Sequence, residues 1–160
     1  MTTKAGFTDE EWARFERAPF VAGMAISMAD PGGPIEALKE TMATVKSVTE
    51  VAQSGGHAEL VDEIAKSIAA RVKQRDNPLK GFRPKGAMAG EEILGEMREV
   101  NAIVKHKATP EEAEDFRKWL LEAAQRAAEA AKEGGFMGFR AEVVSKGEQQ
   151  MLDKLAEALS

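Results

Sequence analysis

The sequence predicts an all-α fold, a compact bundle of six to seven helices around a central uncharged helix at about residues 18–29. Three observations predict it. From Ala18 to Ala29 no residue is charged, in a chain where 31% are Asp, Glu, Lys or Arg. A helix that is apolar all round is a buried one, and this stretch is well short of the roughly 20 residues a bilayer span requires. Apolar residues elsewhere recur at spacings of three and four, the helical period. Three Ser/Thr-x-x-Glu capping boxes, Thr8–Glu11, Thr109–Glu112 and Ser145–Glu148, each precede such a stripe.

Taken in order, residues 1–7 are expected to be a loose tail. A short helix follows the first capping box, with Trp12 and Phe15 on one face. Pro19 suits the first turn of the buried helix, where its missing N–H costs nothing. Phe20, Val21, Met24 and Met28 form the bulky side of that helix, and Ala22, Gly23, Ala25 and Ala29 its close-approach side. Pro34 opens a third helix with the stripe Ile35, Leu38, Met42, Val45, Val48 and Ala52, stopped by Ser54-Gly55-Gly56. Met24, Met28 and Met42 are expected to fill the core.

The fourth helix, about Ala58 to Lys73, presents Leu60, Val61, Ile64, Ile68 and Val72, and its short connection makes it the antiparallel partner of the third. Residues 74–86, QRDNPLKGFRPKG, carry the turn signals of a long connection and place a seam within the single 1–160 domain. Helix five runs from about Gly90 to Lys105 on Ile93, Met97, Val100 and Val104. The second capping box starts the strongest helix, Pro110 to Lys132, with Phe116, Leu120, Ala123, Ala127 and Ala130 inward and Trp119 beside them. Gly134-Gly135 ends it. The apolar loop Phe136, Met137 and Phe139 leads to a last helix on Leu152, Leu155, Ala156 and Leu159. Only Ala141–Val144 has the alternation of a short strand.

Composition narrows the function. The absence of Cys removes disulfides, thiolate metal sites and cysteine nucleophiles, and fits a cytoplasmic location. The N-terminus lacks the apolar run of a signal peptide, and no segment reaches transmembrane length. A net charge of −5 argues against nucleic acid as the main partner. Within it, residues 71–85 are locally basic: Arg71, Lys73, Arg75, Lys80, Arg83 and Lys85 against Asp76. Such a run is either a solvated loop or a contact for an anionic partner or membrane surface. His57 and His106 stand at helix ends, where a histidine commonly complements the dipole. Neither belongs to a Glu-x-x-His pair, and no zincin, P-loop, dinucleotide or nucleophile-elbow motif occurs.

The candidate site comes from an internal echo. Asp30-Pro31-Gly32-Gly33 and Glu133-Gly134-Gly135 each end an Ala-rich helix and precede a helix with acids in its first turns, Glu36 and Glu40 in one case and Glu148 in the other. Carboxylates and loop carbonyls at such junctions are the hard oxygen ligands that Ca²⁺ or Mg²⁺ requires. The same residues also suit plain helix capping, with glycines at C-termini and acids at N-termini.

The acid–Gly segment followed by Val144-Ser145-x-x-Glu148 resembles the helix–loop–helix signature of the TerB-like tellurite-resistance family, and AISMADPGGPIEALKE is similar to its other copy. The resemblance implies a compact helical stress-response protein whose acids bind a divalent metal, here Asp30, Glu36, Glu40, Glu133 and Glu148. The expected function is binding rather than catalysis, with a protein as partner. One alternative is a metal-free module that dimerises through the 136–139 loop or an Ala-rich face. Another is an enzyme with a buried carboxylate in a central cavity.

Overall fold

The computed structural model describes residues 2–29, 34–132 and 144–160. Among these residues the chain is all-α, with helices α1 (Asp9–Ala29), α2 (Pro34–Ser54), α3 (Glu59–Lys73), α4 (Ala89–Lys107), α5 (Pro110–Lys132) and α6 (Lys146–Ala158). Short 3₁₀ turns at Lys4–Gly6 and Gly86–Met88 precede α1 and α4. No helix is long and apolar enough to cross a membrane. The expected strand at 141–144 and the 136–139 loop lie outside the described residues, except Val144, which precedes α6.

Helix α1 is the axis, since each of the other five packs on it. Its uncharged half buries Ala18, Val21, Ala22, Ala25 and Ile26. One expectation is corrected here. Pro19 does not open a separate helix; it lies inside a continuous α1. Proline removes one helical hydrogen bond and crowds the carbonyl four residues earlier, costing about 3 kcal/mol. Burial of Phe15, Ala18, Phe20 and Val21 on both sides of it holds the helix through that defect. The tail is corrected too. Phe7 packs edge-on against Phe15 with centroids 4.8 Å apart, and the Thr2 amide donates to Glu112 at 3.2 Å.

The helices alternate in direction. Lys107, late in α4, donates to Glu11, early in α1, at 2.6 Å, whereas Arg14 and Arg17 reach Glu96 further up α4 at 2.8 and 3.2 Å. Helix α5 runs antiparallel to α2: its Asp115 meets His57 beyond the end of α2, and its Arg126 meets Glu50. Gly55 and Gly56 turn α2 into α3 with φ of 63° and 96°, a region open chiefly to glycine. Two capping boxes form in full, Thr8 with Glu11 and Thr109 with Glu112. Ser145 accepts from the Glu148 amide at 3.2 Å, the forward half of the third.

The stripes predicted for α3, α4, α5 and α6 face the core, with Ile64, Met97, Leu120 and Leu155 fully buried. The stripe of α2 does so only in its second half, where Val48 is buried and Val45 and Ala52 pack on the core. Leu38 and Met42 are 60% and 63% exposed, Met28 is also exposed, and the buried side of α2 is Glu40, Thr44, Ser47 and Val48. The reason lies on α1. Gly23 has no side chain, and a Cβ there would sit 3.2 Å from the Thr44 hydroxyl. The two helices therefore meet there on a small polar face, and Leu38 and Met42 are left on the outer side.

The 74–86 connection is held against the bundle. Arg71 donates to Asp76 at 2.8 Å and to Glu16 at 2.7 Å. Leu79 and Phe82 pack on the core, and Arg17 lies over the Phe82 ring at 5.5 Å.

Candidate functional site at the α1–α2–α5–α6 end

Alternating direction puts four helix ends together. The start of α6 sits on the end of α1, where a Cβ at Gly147 would lie 2.8 Å from the Ala29 carbonyl oxygen. Because α2 leaves from the same end of α1, and α5 runs against α2, the end of α5 arrives there as well. The helices flanking both acid–Gly–Gly junctions thus share one end of the bundle.

Of the five acids named from sequence, Asp30 and Glu133 lie outside the described residues, and Glu36 is placed only as a first-turn position of α2. Glu40 and Glu148 are described, and both are buried, at 4% and 1% exposure. Glu40 accepts from the Ser27 hydroxyl across the α1–α2 seam. Glu148 lies in the first turn of α6, where the helix dipole favours a carboxylate. Among the described residues no group of three or more His, Asp or Glu side chains is placed to hold a metal.

Beside Glu40 is a cavity of about 130 Å³ between α1 and α2, lined by Phe20, Gly23, Met24, Ser27, Thr41 and Thr44, with Leu79 at its wall. Its hydroxyls are engaged: Thr41 donates to the Ala37 carbonyl at 2.9 Å, Thr44 to the Glu40 carbonyl at 3.1 Å, and Ser27 to the Glu40 carboxylate. A larger, open groove of about 670 Å³ runs between α2 and α5, with Met42, Ala43 and Ala130 among Lys39, Lys46, Glu50, Arg126 and Glu129.

Two polar clusters were not visible from sequence. Asp115 accepts from His57 Nδ1 at 3.0 Å and from the Ala58 amide at 2.7 Å. Facing a carboxylate, the His57 ring donates through Nδ1. The pair caps α3 from α5, where Ala58 has no side-chain oxygen to do so. Glu16, buried on α1, accepts from Ser67 and Arg71, while the Trp12 indole donates to Ser67 at 3.2 Å. The partners are about 50 or more positions apart in the chain, beyond the reach of any local pattern. His106 is exposed near the end of α4.

No family model, curated protein or solved structure matches this chain.

Proposed function

We propose that this chain is a binding domain rather than an enzyme, and that it takes a divalent cation, Ca²⁺ or Mg²⁺, at the end where α1, α2, α5 and α6 meet. The observation that carries the proposal is the seat of Gly147 on Ala29, which brings the helices flanking the two acid–Gly–Gly segments to one end. The TerB-like resemblance supports the same assignment. In it Asp30 and Glu133, with Glu36, Glu40 or Glu148, supply hard oxygen donors, and the ion links the domain to a protein partner in a cytoplasmic stress response. The test is a thermal melt of the chelated protein repeated with Ca²⁺, Mg²⁺, Mn²⁺ and Zn²⁺. An ion that binds only the folded state stabilises it by about 2.7 kcal/mol at a hundred times its dissociation constant. A rise with one ion that vanishes in Asp30→Ala supports the proposal, and no rise with any ion refutes it.

A second reading, a metal-free module that pairs with its own copy, is favoured by the outward turn of Leu38 and Met42 on α2. Large apolar side chains one turn apart on an open helix face are the usual material of a helix–helix contact. Sedimentation equilibrium decides it: a dimer dispersed by Leu38→Gln with Met42→Gln supports this reading, and a monomer at all concentrations removes it.

A further inference from the structure

The connection between α3 and α4 carries positive charge on a fixed frame. Arg71 is used internally, bound to Glu16 and Asp76, and Asp76, the acid of the stretch, is shared between Arg71 and the field of Lys80. Lys73, Arg75, Lys80, Arg83 and Lys85 are all exposed, and among the described residues the ion pairs of this stretch are those of Arg71. The next acids along the chain, Glu91 and Glu92, come only after the turn that opens α4.

The backbone beneath these cations is tied down. The Leu79 amide donates to the Asn77 side chain at 2.9 Å, the Lys80 amide to the Asn77 carbonyl at 3.1 Å, and the Phe82 amide to the Leu79 carbonyl at 3.0 Å. Pro78 is buried, and Leu79 and Phe82 pack on the core. The backbone at 77–82 is therefore ordered before binding, which leaves only side-chain freedom to be lost on docking.

Beside them stands Met88, 63% exposed, three positions after Lys85. Phe82, the aromatic residue of the stretch, is turned inward beneath Arg17, so the segment offers no stacking platform for bases. What remains is a run of exposed cations that ends at one exposed aliphatic side chain. That pairing matches an anionic bilayer, whose headgroups attract Lys and Arg and whose interior accepts the thioether.

We propose that Lys73–Met88 is a docking surface for anionic lipid bilayers, with Lys73, Arg75, Lys80, Arg83 and Lys85 at the headgroups and Met88 entering the acyl boundary. The full chain is floated with vesicles of phosphatidylcholine alone, or with phosphatidylserine as about a third of the lipid. The expected result is binding to the second only, abolished by high salt because exposed charges are screened. Lys80→Gln with Arg83→Gln is expected to weaken partitioning about fivefold for each charge removed, whereas the matched pair Lys66→Gln with Lys154→Gln leaves it unchanged. Met88→Ser is expected to weaken it about tenfold. Thermal melts of each variant confirm that the fold is intact. Absence of binding to the anionic vesicles, equal loss in the two charge pairs, or no loss with Met88→Ser overturns the proposal. Tighter binding to a single-stranded RNA oligonucleotide than to the vesicles also overturns it.

Discussion

Gly147 lies so close to Ala29 that a Cβ on it would stand 2.8 Å from the Ala29 carbonyl oxygen. Atoms do not pack at that distance, and the obstacle is backbone rather than a movable side chain. Gly147→Ala therefore pushes the start of α6 off the end of α1, with a loss of about 1–3 kcal/mol. Gly95→Ala, on α4, meets nothing within 4 Å and gains about 0.5–1 kcal/mol from the helix preference of alanine over glycine. Urea unfolding of the two variants beside the parent checks both signs.

Glu16 is the buried anion on which Ser67 and Arg71 converge. Truncation in Glu16→Ala leaves the guanidinium and the hydroxyl without that acceptor, while Arg71 keeps Asp76. The expected loss is about 2–3 kcal/mol, below that for a fully isolated buried pair because Arg71 retains one partner. Because Arg71 also anchors the 74–86 connection, limited proteolysis in that stretch is expected to quicken in the variant.

Acid should destabilise the fold through three carboxylates. Lys107, helped by the Thr8 amide, holds Glu11 below its ordinary value of 4.5. Arg71 does the same for Asp76, whose ordinary value is 3.8. Burial alone would push Glu112 up, but donors from Thr2 and Thr109 bring it below 4.5. Between the folded and ordinary values the unfolded chain binds more protons, so stability rises with pH there. The contribution is complete above the ordinary values and is lost as pH falls through the folded ones. Urea midpoints measured from about pH 7 to about pH 3 should show this fall, and Glu112→Gln should flatten the part of the profile below 4.5. A flat parent profile contradicts the assignment.

Leu38 and Met42 of α2 are apolar and exposed. Leu38→Gln and Met42→Gln are expected to change stability by no more than about 0.5 kcal/mol each, since both side chains already face water in this chain. Ile64→Ala, at a fully buried position, is expected to cost about 2–5 kcal/mol. Thermal melts of the three variants separate the outward row from the core.

These contrasts show what local pattern carries. The bounds of α5 and the Thr8 and Thr109 caps were legible because their cause is local: proline at a first turn, and a hydroxyl three residues before a glutamate. The faces of α3 to α6 were legible because one side alone is apolar. Helix α2 has a second, small and polar side, and Gly23 on a different helix selects it. Continuity through Pro19 was hidden for a related reason, since packing around the residue outweighs the break it favours. In the candidate site the acids and glycines stood out, but the Glu40–Ser27 bond and the His57–Asp115 pair join separate helices. No spacing rule reaches across such gaps.

The most direct test of the cation proposal is calorimetric titration of the chelated protein with Ca²⁺ and with Mg²⁺, run beside Asp30→Ala and Gly95→Ala. Saturable heat with one of the ions is expected in the parent and in Gly95→Ala, and its loss in Asp30→Ala with the fold intact by circular dichroism. No saturable heat with either ion, or unchanged heat in Asp30→Ala, would contradict it.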